Sequence, residues 1–211
     1  MSEADETLTI DIVSDVVCPW CFLGKRRLEA ALKGAGEAQI RWRPFQLDPT
    51  IPPEGLDRRA YMRAKFGDGP RLAEAHARLK ALGAEAGIAF DFEAIQRSPN
   101  TLDAHRLIRF AAEAGLAGAV KERLFADYFE RGRDIGDRAV LNQAAQDCGL
   151  GDVADRLAGE EGAGEVRQEI VEARQMGVQG VPFFIFAGKY AVSGAQSEDV
   201  LRQALAQARA G

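Results

Sequence analysis

Cys18-Pro19-Trp20-Cys21 follows Leu8-Thr9-Ile10-Asp11-Ile12 and runs directly into Phe22-Leu23-Gly24-Lys25-Arg26-Arg27-Leu28-Glu29-Ala30-Ala31-Leu32. Before the cysteines, Leu8, Ile10 and Ile12 alternate with Thr9 and Asp11, the two-residue period of a strand. After them, Phe22, Leu28, Ala31 and Leu32 recur at helical spacing. The pair therefore falls where a strand hands over to a helix. Pro19 suits the first helical turn, because its missing N–H would have had no intrahelical partner there. That leaves Cys18 at the helix amino terminus, where unpaired N–H groups and the positive end of the helix dipole favour a thiolate. We read Cys18 as an attacking nucleophile. Cys21, one turn further in, resolves a mixed disulfide by closing a Cys18–Cys21 bond.

A C-x-x-C also supplies half of many zinc sites, and counting weighs that reading. A structural zinc needs a full tetrahedral set of ligands; outside the pair the chain offers Cys148, His76 and His105, none paired at ligand spacing. No metal is expected. Three cysteines do not build a disulfide framework, so the C-x-x-C reads as redox-active in a reducing compartment.

The chain has 211 residues, 46% of them hydrophobic, enough to bury a core in one domain with an insertion or in two small domains. No apolar run approaches the roughly 20 residues of a membrane span. The acidic start Met1–Thr7 lacks the basic head and apolar middle of a signal peptide. A cytoplasmic location without membrane association is the expectation. The net charge of −5 argues against a nucleic-acid partner, which wants a basic face. Arg41/Arg43 and Arg131/Arg133 read as solvated.

Gly34 and Gly36 stop the first helix, and Ile40-Arg41-Trp42-Arg43-Pro44-Phe45-Gln46-Leu47 reads as a second strand. Its alternation changes phase at Pro44, which cannot donate to a ladder and so places the strand at a sheet edge or at a bulge. Strand, helix, strand makes a βαβ unit and implies a parallel pair. A linker, Asp48–Pro53, follows, and the sequence beyond it reads as helical throughout. Expected apolar faces are Tyr61/Met62/Phe66, Leu72/Ala75/Leu79/Leu82/Ala86, Leu102/Leu107/Ile108/Ala111, Val120/Leu124/Phe125/Tyr128/Phe129, Val140/Leu141/Ala144/Ala145/Cys148 and Val166/Ile170/Val171. Asn100 or Thr101 caps the third of these. Strand pattern returns in Val181–Phe186 and Tyr190–Ser193, a hairpin turning at Ala187-Gly188-Lys189. A final helix, capped within Gln196–Asp199, carries Val200, Leu201, Ala204, Leu205 and Ala208.

The plan βαβ, helical insertion, ββα, with C-x-x-C at the first helix, resembles the thioredoxin fold, and the insertion resembles its DsbA branch. The expected division is residues 1–50 and 175–211 as the thioredoxin-like domain and 51–174 as the helical insertion domain. Asp15–Cys21, Ser98-Pro99-Asn100-Thr101 and Gly180-Val181-Pro182-Phe183-Phe184 together resemble the FrnE-like DsbA-family oxidoreductases. The resemblance implies that Pro182 is a cis-proline facing the dithiol and that Val181 offers its backbone N–H and C=O to a bound polypeptide. One departure matters: where better-known members carry a buried carboxylate on the first strand, this chain has Ile12. Asp15 is a candidate substitute in proton transfer, although its place before Cys18 also suits a turn cap.

Trp20, between the cysteines at an exposed turn, is a candidate substrate contact. Asn100 is first a cap, with substrate contact as a second role. Cys148 reads as a small hydrophobe, and His76 and His105 as surface or satisfied histidines. Phe183, Phe184 and Phe186 serve either a peptide surface or the core. The leading function is thiol–disulfide exchange with protein or small-molecule substrates, without a cofactor but with glutathione open as a cosubstrate. Two alternatives stand beside it. The kappa-class glutathione transferases and 2-hydroxychromene-2-carboxylate isomerases resemble the chain in its insertion, yet carry a serine at the Cys18 position. A non-catalytic polypeptide-binding module would use only the Pro182 groove. The sequence sets no oligomeric state.

Overall fold

The computed structural model describes residues 7–67 and 69–211; the acidic start, residues 1–6, lies outside the described residues. Four strands form the main sheet: β1 (Leu8–Ser14), β2 (Ala38–Pro44), β5 (Phe183–Phe186) and β6 (Tyr190–Ser193), in the order β2-β1-β5-β6. β1 runs parallel to β2 and antiparallel to β5, with Ile12 opposite Trp42 on one side and Phe184 on the other. β5 and β6 form the expected hairpin. The first strand is thus held by ladders on both sides, and its carboxyl end is the best-fixed point from which to launch a functional loop.

The alternation read from the sequence divides the two faces of this sheet. Leu8, Ile10 and Ile12 pack with Phe184 and Phe186 against Leu28 and Ala31 of α1 (Pro19–Leu32) and Leu201, Ala204, Leu205 and Ala208 of α9 (Glu198–Ala210). Ser197 caps α9 by accepting the Val200 N–H. On the opposite face, Val13 packs with Phe45, Ala173 and Val178, under α8 (Ala163–Gln175). Asp11, on that same face, is held by Arg41 (2.6 and 2.9 Å) and Arg43 (2.9 Å).

Pro44 acts as its lack of an N–H requires. β2 is an edge strand whose ladder ends with Pro44 opposite Ser14, so Phe45, Gln46 and Leu47 leave the sheet instead of extending the strand to residue 47. Between β2 and β5 lie α2 (Arg58–Phe66), α3 (Pro70–Glu85), α4 (Leu102–Glu113), α5 (Ala117–Phe129), α6 (Arg138–Asp147), the short α7 (Ala154–Ala158) and α8. This stretch is not helical throughout. Leu56–Asp57 (β3) and Arg97–Ser98 (β4) pair antiparallel, and residues 88–96 form an irregular segment that buries Ile88, Phe90, Phe92 and Ile95. The alternation Ile88-Ala89-Phe90-Asp91-Phe92 is the corresponding sequence signal. Val171 and Val200, expected on buried faces, are exposed; α8 buries Ala163, Val166, Ile170 and Ala173 instead. Among the described residues no helix is long and apolar enough to cross a membrane.

One apolar cluster runs from α1 (Cys21, Phe22, Leu23) through Phe90 and Phe92 to Leu124, Phe125 and Phe129 of α5. Phe22 stacks on Phe125 with centroids 4.9 Å apart and meets Phe90 edge-on at 5.9 Å. The helix that carries the cysteines is therefore packed on one side by sheet and α9, and on the other by the inserted helices.

Gly24 lets α1 lie close to β5. A Cβ there would sit 3.0 Å from Pro182 Cγ and 3.1 Å from Phe184 Cζ, two rigid, buried rings. Gly24→Val is expected to destabilise the protein by about 3 kcal/mol, the upper end for core overpacking. Urea unfolding checks this: the midpoint should fall at an unchanged m-value.

Candidate active site

Cys18 is the N-cap of α1, with φ −96° and ψ 111°, and Pro19 occupies the first turn. The Cys18 N–H donates to the Asp15 carbonyl (3.2 Å), and the Cys18 carbonyl accepts the Cys21 N–H (3.0 Å). Both thiols are free and buried, at 4% and 2% exposure. The Val181–Pro182 peptide is cis, and the Val181 carbonyl lies 3.5 Å from the Cys18 sulfur as its acceptor. Burial, then the hydrogen bond that the Cys21 thiol donates to Cys18 and the negative charge on Cys18, pushes the Cys21 thiol well above the ordinary thiol range. Cys21 therefore stays protonated where a solvated thiol would begin to ionise.

The turn carrying Cys18 is anchored through Asp15, which is buried. One carboxylate oxygen accepts the Leu47 N–H at 2.8 Å; the other lies 3.2 Å from His105 Nε2. The same nitrogen lies 2.9 Å from the Phe45 carbonyl, an obligate acceptor, so Nε2 carries the proton and donates to both. Burial lowers the His105 pKa against the pull of Asp15, which keeps the ring neutral. Asn100 fastens an adjacent loop: its side chain accepts the Leu102 N–H (2.9 Å) and Gln46 Nε2 (3.1 Å) and donates to the Ile51 carbonyl (2.6 Å).

A cavity of about 590 Å³ opens beside Cys18. Its apolar wall includes Val17, Trp20, Met62, Leu72, Leu79 and Phe92, and Val181 closes it near the sulfur. Tyr61, Met62 and Phe66 face this space from α2, a helix with no buried residue. Arg58, Lys65 and Arg71 border it as cations. The acid opposite, Asp48, accepts hydrogen bonds from Thr50 and Tyr61, which hold its pKa low and keep it ionised. Ser98 also lines the cavity, and its buried hydroxyl has no hydrogen-bond partner among the described residues.

Of the residues singled out in the sequence, Cys18, Trp20, Val181 and Asp15 border this cavity, and Cys21 lies directly behind Cys18 in α1. Trp20 is half-buried, with Arg78 5.8 Å from its ring centroid. Pro182 is buried against α1. Asn100 does not border the cavity, and its polar atoms are engaged in joining loops. His76, stacked on Phe92 at 4.1 Å, lines the cavity. Cys148 ends α6 away from the cavity lining. The sequence reading missed Lys121. It is 1% exposed on α5, with Nζ 5.4 Å from the Trp42 ring centroid and 5.2 Å from that of Phe125. Burial pulls its pKa down to about 8, against the attraction of Cys21, Asp15 and Cys18. Its spacing to Leu124, Phe125 and Tyr128 put it on the buried face all along.

A dithiol at the amino end of the first helix, opposite a cis-proline on a thioredoxin sheet with a helical insertion, defines a class. Residues 9–206 match the DSBA-like thioredoxin domain, and the chain belongs to that family. A probable DsbA oxidoreductase from Streptomyces coelicolor is 34% identical, with 95% of this chain and 89% of that one covered and a TM-score of 0.87. The cytosolic disulfide reductase DsbM from Pseudomonas aeruginosa, solved with GSH, shares the fold at 20% identity and TM-score 0.64, covering 96% of each chain. A 2-hydroxychromene-2-carboxylate isomerase shares it at 17% identity and TM-score 0.72, covering 94% and 95%.

Lys121 is costly where it stands. Because the folded chain disfavours its ammonium, the penalty is fully present below about pH 8, where folded and unfolded chains both carry the proton. It fades above about pH 8, as the folded chain gives up that proton before the unfolded one does, and is gone above the unfolded value of ~10.4. Lys121→Met should therefore stabilise the protein by roughly 3 kcal/mol at pH 7 and by less than about 1 kcal/mol at pH 10. Chemical denaturation of both proteins at the two pH values measures the difference.

Proposed function

We propose that the protein is a thiol–disulfide oxidoreductase of small, anionic substrates. The observation that carries this is the Cys18 thiol at the mouth of a walled cavity, with Cys21 behind it. In the reducing direction the Cys18 thiolate attacks one sulfur of a substrate disulfide and expels one thiolate. Cys21 then attacks the Cys18 sulfur; the Cys18–Cys21 bond forms, the mixed disulfide breaks, and the second thiolate leaves with two electrons delivered in all. The oxidised pair runs the same steps backwards with a substrate thiolate.

The substrate class follows from the cavity. Its volume falls within the roughly 300–1,000 Å³ of small-molecule sites, and an apolar wall beneath Arg58, Lys65 and Arg71 suits a compact disulfide bearing carboxylates. Glutathione is one such cosubstrate, and no other cofactor is required. The unpartnered Ser98 hydroxyl offers a polar contact inside the wall. The likeness to the FrnE-like subgroup and the few cysteines, one of them a free surface-edge thiol at Cys148, favour a cytoplasmic setting.

A second reading, a glutathione-dependent isomerase or transferase, is favoured by the same enclosed cavity. The two separate at Cys21, which only the oxidoreductase needs. Titrating the Cys18–Cys21 couple against glutathione buffers, followed by Trp20 fluorescence, should give a reversible two-electron transition in the wild type. Cys18→Ser and Cys21→Ser should both abolish it. Glutathione binding without any transition would move the assignment to the second reading.

A further inference from the structure

A second cavity, of about 510 Å³, opens at the β2 edge of the sheet, bounded by α1, α4, α5 and α8. It shares no lining residue with the substrate cavity. Ile40, Trp42, Pro44, Ile108 and Val166 give it an apolar wall. Its charges pair off with one exception. Lys25 is held by Glu29 and Glu122 at 2.6 Å each, Arg41 and Arg43 by Asp11, and Arg109 by Glu169 at 2.7 Å. Neutral His105 gives its N–H to Phe45 and Asp15. That leaves Lys121: among the described residues its ammonium has no hydrogen bond or ion pair, only the rings of Trp42 and Phe125, with centroids 5.4 and 5.2 Å away.

Lys121 is 1% exposed, and a buried cation without a counter-ion is costly. The two rings offset only part of that cost. Lys121 stands one turn into α5, and helical side chains lean toward the amino end of their helix. Its ammonium is thereby carried toward the first turn, where Ala117 and Gly118 border the same cavity. No side chain caps that end, and the N–H groups of a first turn have no intrahelical acceptor. A Cβ built on Gly118 would meet nothing within 4 Å, so the backbone there is open to approach. Free amide donors, the positive end of the helix dipole and an unmatched ammonium converge on one space.

We propose that the second cavity binds a small organic monoanion, a carboxylate on an apolar body. Lys121 and the first turn of α5 hold the carboxylate, and the wall around Trp42 covers the body. The volume falls within the roughly 300–1,000 Å³ of small-molecule sites. One unmatched cation calls for one negative charge, and the acids Glu29 and Glu169 at the border disfavour a second. With its pKa at about 8, Lys121 is still an ammonium at pH 7. The site stands apart from the oxidoreductase reading, because neither Cys18 nor Cys21 borders it.

The test is calorimetric titration of the full chain at pH 7 and low salt with benzoate, and with benzamide as its neutral isostere. Benzoate should bind the wild type, and benzamide about tenfold more weakly or worse. Lys121→Met should lower the benzoate affinity by about tenfold or more. Lys121→Gln, which keeps a donor and removes the charge, is the second variant and should do the same. The indole N–H resonances of the two tryptophans separate the cavities. Benzoate should move that of Trp42 and leave that of Trp20, in the wall of the substrate cavity, in place. No benzoate binding, equal binding of benzamide, or undiminished affinity in the Lys121 variants would overturn the proposal. So would a response at Trp20 alone, which would place the anion beside Arg58, Lys65 and Arg71. Inorganic phosphate binding where benzoate does not would overturn the carboxylate assignment. Loss of the Cys18–Cys21 redox transition in the wild type would overturn the oxidoreductase reading and leave this site standing.

Discussion

The contact on which the site depends is the buried carboxylate of Asp15 between the Leu47 amide and the His105 ring. β1 is clamped by β2 and β5, so the position of Ser14 is fixed; what remains free is the direction of the turn that follows. Asp15 removes that freedom by tying the turn to the segment that leaves β2 and to α4. Its backbone carbonyl receives the Cys18 N–H, so the same residue sets both the loop and the nucleophile's amide. Removing the carboxylate would leave a buried amide and a buried imidazole N–H without partners, each costing about 1–3 kcal/mol. The acid three residues before the nucleophile is thus a structural anchor at the reacting thiol, whatever further part it plays.

The insertion then decides what reaches Cys18. α3 and α2 carry apolar side chains at helical spacing, yet α2 buries none of them and α3 buries only Leu79 and Gly83. In an ordinary core, faces of this kind would close on each other. Here Tyr61, Met62, Phe66 and Leu72 stand around an open volume, and the cost of that unfilled apolar wall is recovered only when a ligand covers it. Arg58, Lys65 and Arg71 stand at its border together with the acids Asp15 and Asp48.

The sequence made the frame readable because each element changes its hydrophobic period where the structure changes element. The period shifts at Cys18, the phase slips at Pro44, and turn chemistry marks Ala187-Gly188-Lys189. Helix faces were legible where both sides of the pattern are polar and illegible where they are not: Val171 and Val200 are apolar but look outward. The irregular segment 88–96 was hidden because burial there follows an alternation with no strand partner. The site was legible at Cys18 and Cys21, since spacing alone places them. His105, read as a surface or satisfied histidine, is satisfied and buried; Lys121 was not legible, because nothing in a one-dimensional pattern distinguishes a polar residue facing the core from one that interrupts an apolar face. Asn100, read first as a cap, accepts the Leu102 N–H at the start of α4 and joins Gln46 and Ile51 to it.

The replacement of the usual first-strand carboxylate by Ile12 acquires a physical meaning from these positions. Ile12 is packed between Trp42 and Phe184 in the sheet core, where a carboxylate would have to be desolvated with no cation on its own strand. The buried charge that acts on Cys21 electrostatically is instead the Lys121 ammonium of α5, set against Trp42 of β2, and it is positive. A buried base disfavours its own charged form, as a buried acid does, but the consequences for the thiol are opposite. A carboxylate repels a thiolate formed beside it, whereas an ammonium attracts one. The step from thiol to thiolate at Cys21 therefore ends in an attractive pair rather than in two like charges, and the dry surroundings that raise the cost of that thiolate strengthen the attraction that offsets it.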